Sequence, residues 1–345
     1  MMALLEGLEP VRVRPTMYVG ATDAVGLERM LSYVLTVFVN EHLADRSTRL
    51  SVDIDDAGWV TIEADGEGVS VDFDKEHGLP RIETLFSRFL HPEVPHEPAT
   101  ATHAIKHGPH EFFPAVATAL SSKLEVDTRP GCHAWRLAYA SGAQLQKLED
   151  GGPTSQRGTV VRYLPDESIF DAGVKHDLVA IEKRLRTLAL LCPKLDVRFQ
   201  GRSLACAEGI AAWLREAAPE LVKDTLLTAK GSVGKFDVEV AFAWRPRASA
   251  PLIRSFVNHL ETPEGGTHVR GLIVAIENVI GAKRASRTKT VLSGLVAVVH
   301  VGTEWPQRNR GALDDKNARD AVRDVVTRAI NEAPWWWDRL HAAIR

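Results

Sequence analysis

The chain has 345 residues, enough for about two domains whose cores need no disulfide or metal staple. Apolar residues at 45% and charged residues at 25% lie near the globular average and exclude a disordered or fibrous chain. Net charge is only -3, yet residues 221–345 hold 19 of the 42 Lys+Arg and 13 of the 45 Asp+Glu, so they stand at +6 and residues 1–220 at -9. Such a bias suits contact with a polyanion and equally a solvated surface.

The N-terminus has no cationic stretch leading into an apolar run, and no window of about 18 uninterrupted apolar residues occurs. We therefore expect neither a signal peptide nor a membrane span, and a cytoplasmic location. Cys132, Cys192 and Cys206 form no C-x-x-C pair and read as buried thiols in a reducing compartment.

In chain order, residues 26–44 carry Leu27, Met30, Leu31, Val34, Leu35, Phe38 and Val39 at the spacing of a buried helix. Two alternating runs, RLSVDIDD and WVTIEADG, follow with Asp-Ala-Gly between them and predict a hairpin. Residues 91–114 combine five Pro and five His without a period and read as a long loop. Within it, His103, His107 and His110 would share one helix face and suit a metal, but Pro98 and Pro109 favour an irregular lid without one.

A helix is expected over 112–124, then strands at LEVDTRP, HAWRLAYA and GTVVRYLP, with EDGGPTSQRG as the turn before the last. Helices at DLVAIEKRLRTLALLC and AEGIAAWLREAAPE flank the strand LDVRFQG. Beyond Pro219 come strands at VEVAFAWR and IRSFVNHL, a helix from His268 to Ile280, a strand at GLVAVVHVG and a final helix after Asp314. The domain boundary is placed near 210, giving domains 1–210 and 211–345. One or two rings of the Trp335, Trp336, Trp337 run are expected to cap a core.

Six segments, in order, resemble the ATPase and transducer region of the gyrase B and topoisomerase IV family, within the GHKL superfamily. They are LEGLEPVRVRPTMYVG (5–20), ADGEGV (64–69), ALSSKLEV (119–126), RGTVVRYLPDESIF (157–170), KRLRTLALL (183–191) and SFVNHLETPEGGTHVRGL (255–272). The resemblance implies an α+β fold: a GHKL α/β sandwich that cradles ATP, then a transducer domain with a left-handed βαβ crossover. The family's metal-binding TOPRIM and DNA-gate parts are expected to be absent from this chain. So is the long N-terminal arm that closes an ATP-bound dimer, so arm exchange is not expected.

The resemblance also assigns roles, and the residues here depart from them. The family's helix carries a glutamate general base and, four residues later, an asparagine that ligates magnesium, a spacing that puts both on one face. Aligning HLAD (42–45) with the end of that motif places Tyr33 and Val37 there; shifting the register to use Asn40 as ligand makes Thr36 the base. No Asp or Glu occurs between Glu28 and Glu41, so the base is missing in either register.

In the family's Asp-Asp-Gly-x-Gly, the first carboxylate accepts from the adenine amino group; here Ala64 stands there, followed by Asp65, Gly66, Glu67 and Gly68. The glycine-rich phosphate lid aligns with HGPHEFFPAV, which keeps Gly108 but brings in Pro109, Phe112, Phe113 and Pro114, and proline has no N–H for a phosphate. The two phenylalanines are expected to turn inward and fill part of the pocket. Thr159 matches the family threonine near adenine, and Arg308, Asn309 and Arg310 align with the Gln-Thr-Lys triplet, with Arg310 in place of the lysine that reaches the γ-phosphate.

The resemblance thus gives Asp65, Gly66, Gly68, Gly108, Thr159 and Arg310 as the cofactor-facing set, and Lys283, Arg284, Arg287 and Lys289 as the loop that meets DNA phosphates. ATP and magnesium enter through the resemblance alone; the residues lead us to expect no cofactor. Two function classes follow: a pseudo-ATPase that binds a protein or makes weak, sequence-independent DNA contact, and an ATP-hydrolysing component of a type II topoisomerase system.

Overall fold

The structure, a computed structural model, describes residues 7–88, 114–221, 225–246, 249–280, 292–303 and 311–336. They fall into two compact units, the first running to Ala205 without 190–193, the second holding Leu190–Pro193 and the chain from Cys206 onward.

The first unit is built on an eight-stranded sheet. Its strands are β1 (Arg49–Ile54), β2 (Val60–Ala64), β5 (Ser121–Thr128), β6 (His133–Ala140), β7 (Ala143–Pro153), β8 (Thr159–Pro165), β9 (Asp196–Phe199) and β10 (Arg202–Ser203), and they lie in the order β10-β9-β1-β2-β8-β5-β6-β7. A small hairpin, β3 (Phe73–Asp74) and β4 (Leu79–Pro80), stands apart. All neighbours in the large sheet are antiparallel except β1 and β9.

Alternation along each strand gives the sheet one apolar face. Val52, Ile62, Val161, Val126 and Leu137 form a continuous cross-strand row, and each is at most 1% exposed. Helices α3 (Ala24–Leu43), α4 (Arg81–Ser87) and α5 (Pro114–Leu120) pack in this unit, with α3 and α5 each touching the sheet and one another. Asp23 caps α3 by accepting from the Val25 amide at 2.8 Å.

The short helices α1 (Glu9–Val13) and α2 (Thr16–Val19) precede α3. Arg12 ties α1 down: one guanidinium nitrogen donates to the Ala119 carbonyl at 2.6 Å and the other to Asp166 Oδ2 at 2.7 Å. Asp166 Oδ1 accepts from the Ser168 amide and hydroxyl. Burial alone would raise the Asp166 pKa, but the bonds from Ser168 and Arg12 outweigh it and hold the carboxyl below its usual range. Two of the six resembling segments, 5–20 and 157–170, therefore hold each other.

Helix α6 (Leu178–Leu191) precedes β9, and the chain from Cys206 onward builds most of the second unit. That unit is a five-stranded sheet of β11 (Leu227–Val233), β12 (Phe236–Trp244), β13 (Leu252–Val257), β14 (Leu260–Glu261) and β16 (Leu295–Gly302), in the order β11-β12-β16-β13-β14. Helix α8 (Thr267–Ile280) links β13 to β16, which pair in parallel, so these three make a βαβ crossover. Strands β15 (Gly265–Gly266) and β17 (Ala312–Leu313) pair beside it. Helix α9 (Lys316–Asn331) packs on α8 and on β11 and β12, while α7 (Ile210–Ala217) contacts β12 and β16.

The core of the second unit gathers Phe242, Trp244 and Trp336, ring centroids 5.6–6.0 Å apart, and Trp336 Nε1 donates to the Thr225 carbonyl at 2.8 Å. Trp335 is 45% exposed, so one ring of the tryptophan run is a core residue and its neighbour is not.

Three expectations need correction. The helix expected to 124 ends at Leu120, because Ser121–Thr128 pair with β6 and β8 across a register shift at Ser121/Lys123. The first half of the stretch expected to be a turn, residues 149–153, is the end of strand β7, which lies at the sheet edge with most side chains exposed and therefore lacks apolar alternation, while residues 154–158 do form the connection to β8. Strand β11 was not anticipated, since only Leu227 and Ala229 in it are buried. The His91 to His110 loop, Phe112, Phe113 and Trp337 lie outside the described residues.

A tyrosine and two histidines carry buried polar atoms whose burial has measurable consequences. Tyr163 lies in the buried row Val60, Tyr163, Leu124, Tyr139, and its hydroxyl has no hydrogen-bond partner among the described residues. Removing that hydroxyl relieves an unmet desolvation cost, so Tyr163→Phe should leave unfolding free energy unchanged or raise it by up to about 1 kcal/mol in denaturant titration. A loss of stability would contradict the packing described.

Burial pushes two imidazoles down, His176 to about 4 and His268, helped by the His300 charge, to about 3. Both folded values lie below the ordinary 6.5, so the unfolded chain takes up protons first as pH falls. The stability these histidines contribute is intact above 6.5 and is lost as pH drops toward 4, at about 1.4 kcal/mol per pH unit for each. Denaturant titrations between pH 7.5 and 4.5 should show this slope, and His176→Leu should reduce it; an unchanged slope in the variant would contradict the assignment.

Candidate functional site

The site is built where β1, β2, β5 and β8 end beside one another. Register pairs Leu50 with Ala64, Ala64 with Thr159 and Thr159 with Thr128, so these side chains form one row on the helix-covered face. Ala64, Thr159 and Thr128 are 4%, 3% and 0% exposed. Ala64, which the resemblance sets at the adenine-carboxylate position, and Thr159 are thus direct neighbours.

Asp65 points back to the start of β1. Its Oδ1 accepts from the Thr48 and Arg49 amides, both at 2.9 Å, and from the Ser47 hydroxyl at 3.1 Å; its Oδ2 accepts from the Thr48 hydroxyl at 2.7 Å. Burial raises the pKa, but the bonds from Thr48, Arg49 and Ser47 outweigh it, and the carboxyl sits below the usual range. This carboxylate is spent on its own backbone.

The glycines are required by close approach of the chain to itself. At Gly68, φ is +90°, and a Cβ would lie 2.7 Å from the Pro130 nitrogen. At Gly158, φ is +92°, and a Cβ would lie 1.9 Å from the Ala64 carbonyl oxygen. A Cβ on Gly66 would meet the Arg46 carbonyl oxygen at 2.8 Å. The 64–69 segment is therefore clamped between residues 46–49 on one side and 129–130 and 158–159 on the other.

Between these clamps, the backbone of Val69 meets the threonine pair. The Val69 amide donates to Thr159 Oγ1 at 2.9 Å, Thr128 Oγ1 donates to the Val69 carbonyl at 3.0 Å, and the two hydroxyls are 2.9 Å apart. Each hydroxyl has one proton, and that of Thr128 goes to a carbonyl, so Thr159 donates to Thr128.

On α3, Tyr33 and Val37 are each 4% exposed. The Tyr33 hydroxyl donates to the Tyr18 carbonyl at 2.6 Å, which ties α3 to α2. A phenol so engaged and an isopropyl group supply neither a carboxylate base nor a metal-ligating oxygen, so this helix face does not fit magnesium chemistry. The other register fares no better: Thr36 donates to the Ser32 carbonyl at 3.0 Å. Asn40 has both amide atoms buried without a hydrogen-bond partner among the described residues. Glu41, the next carboxylate, is held bidentately by Arg46 at 2.9 and 3.1 Å.

Among the described residues, one group places imidazole and carboxylate ligand atoms within 4.8 Å of one another, Asp74, Glu76 and His77 on the β3–β4 hairpin. Asp74 Oδ2 and His77 Nδ1 there already pair at 2.9 Å. Gly108, Arg310, Lys283, Arg284, Arg287 and Lys289 lie outside the described residues. Thr128 was missed by sequence reasoning; its signal was a polar residue closing the alternation of LEVDT, and only the register puts it beside Thr159.

The DNA gyrase B family model matches residues 209–333. The B subunit of the Aquifex aeolicus type 2 topoisomerase is 32% identical over 93% of this chain, and the gyrase B protein of Thermus thermophilus is 30% identical over 95%. The 43K ATPase domain of Thermus thermophilus gyrase B, solved with an aminocoumarin, superposes with a TM-score of 0.79 at 26% identity, covering 97% of this chain and 94% of that one. The chain is a relative of the gyrase B and topoisomerase IV B proteins. It spans 43% and 55% of the two curated relatives named above. The topoisomerase IV ATP-binding domain of Francisella tularensis shares the fold, with a TM-score of 0.78 at 22% identity.

Asp65→Ala removes four accepted hydrogen bonds at a partly buried carboxylate and should cost about 1 to 2 kcal/mol at pH 7 by denaturant titration. Because the folded pKa is lowered, the gap between variant and parent should close as pH falls below 3.8. A variant as stable as the parent would contradict the anchoring role.

Proposed function

We propose that this chain is a gyrase-B-like ATPase and transducer scaffold that does not hydrolyse ATP and works by binding, to a protein partner or to DNA. What supports this reading is the α3 face, where Tyr33, bonded to the Tyr18 carbonyl, and Val37 are buried at the positions that the resemblance assigns to base and metal ligand. Ala64 adds to it, since a methyl cannot accept the adenine amino proton, a loss worth about 1 to 3 kcal/mol of binding. The names of the relatives favour a second reading, an ATP-hydrolysing component of a type II topoisomerase system. Fold-level likeness is a weaker warrant for activity than the residues that perform it.

Phosphate release from ATP with magnesium should stay at buffer background, as general-base catalysis is typically worth about 10²- to 10⁴-fold. Turnover above background that vanishes on mutating a pocket residue would establish the second reading. Tyr33→Glu with Val37→Asn and Ala64→Asp should not alone restore hydrolysis, given Pro109 and Pro114 in the lid segment.

For DNA, the +6 balance of residues 221–345 supports a weak contact without sequence preference through Lys283, Arg284, Arg287, Lys289 and Arg310. If about four phosphates are neutralised, log affinity should fall with log salt at a slope near -3.6. Anisotropy titrations check this, and no binding at low salt would leave a protein partner as the better reading. No helix among the described residues is long and apolar enough to cross a membrane, and we place the protein's work in the cytoplasm on its cysteine usage.

A further inference from the structure

The β3–β4 hairpin carries Asp74, Lys75, Glu76, His77 and Gly78 around its turn, outside the row of Ala64, Thr159 and Thr128. Its shape is set locally. Asp74 pairs with Leu79, the Gly78 amide donates to the Asp74 carbonyl at 2.8 Å, and Gly78 takes φ +69° to close the turn. Asp74 Oδ1 accepts from the Glu76 amide at 3.0 Å, while Oδ2 faces His77 Nδ1 at 2.9 Å.

That spacing is the one a metal ion asks of neighbouring ligands. Two donors about 2.0–2.1 Å from one ion and about 90° to 110° apart lie about 2.9–3.4 Å from each other. Nδ1 and Oδ2 meet this condition where they stand, and a Glu76 carboxylate oxygen lies within 4.8 Å of both. One imidazole with two carboxylates suits a divalent ion of borderline softness such as zinc, whereas magnesium and calcium prefer oxygen alone. Charge favours a cation as well. Asp72, Asp74 and Glu76 stand against Lys75, and Arg81, which acts on Asp74 and Asp72, offsets only part of the excess.

We infer that Asp74, Glu76 and His77 form a site for one zinc-type divalent ion, which clips the β3–β4 hairpin ahead of α4. The ion takes the place of the proton between Nδ1 and Oδ2, and that proton passes to Nε2 or to solvent. Water completes the coordination on the solvent side, where Glu76 is exposed. With the turn tied to one centre, the Gly78 and Arg81 amides stay on the Asp74 and Asp72 carbonyls.

The test titrates the purified chain, without an affinity tag, with zinc chloride by calorimetry at neutral pH. Histidines of the 91–110 segment are zinc ligands by chemistry, so every protein compared carries His103→Ala, His107→Ala and His110→Ala. We expect one zinc per chain, and at least about tenfold weaker binding when either His77→Gln or Glu76→Gln is added. Glu76 is exposed, so its variant keeps the fold. No zinc binding, or an affinity unchanged in either variant, overturns the site. Competition by millimolar magnesium would mark a diffuse acidic patch and overturns it as well.

A second measurement follows amide exchange with deuterium. Saturating zinc should slow Gly78 and Arg81 at least about tenfold, while Ile62 in β2 keeps its rate. Zinc that binds without slowing them overturns the clip.

Discussion

The hold on the segment 64–69 is the constraint around which the first unit is arranged. Asp65 bonds it to the start of β1, and the Thr128 and Thr159 hydroxyls bond Val69 to the ends of β5 and β8. Held in this way, the Val69 amide and carbonyl are satisfied without solvent or ligand. The glycines permit it, because a side chain at 68 would collide with the backbone of Arg129 and Pro130, and one at 158 with that of Ala64. The same residues that the resemblance ties to a nucleotide therefore have complete structural work within the chain.

The rest of the unit supports that hold. The apolar row from Val52 to Leu137 fixes the register of five strands, and a slip of one residue would turn every member of it outward. Register in turn puts Ala64 beside Thr159 and Thr159 beside Thr128. On the other side, the Tyr33 hydroxyl ties α3 to α2, and Arg12 ties α1 to Ala119 and Asp166. Side chains on α3 thus serve the packing of the N-terminal helices.

Much of this was legible in the residues themselves. Clean alternation in RLSVDI, VTIEA and TVVRY marked strands that are half buried, and the apolar spacing after Gly26 marked α3. Edge strand β7 escaped because an exposed strand is held by backbone bonds, which leave no apolar pattern to read. The end of α5 escaped because Ser121 and Ser122 belong to a strand only through pairing with distant residues. At the site, Tyr33, Val37 and Ala64 could be read as departures from the pattern that the resemblance implies, whereas the use made of Asp65 and Thr159 could not. Hydrogen-bond partners such as Thr48 and Thr128 lie 17 and 31 residues away, and only the folded register names them.

The proposal that this chain works without ATP is met most directly by the melting temperature of the purified protein with and without millimolar ATP and magnesium. A ligand that binds the folded state at about a hundred times its dissociation constant adds about 2.7 kcal/mol, a rise of about 5 °C or more for a unit of this size. The account predicts an unchanged melting temperature. A rise of that order, absent when magnesium chloride alone is added, would contradict it.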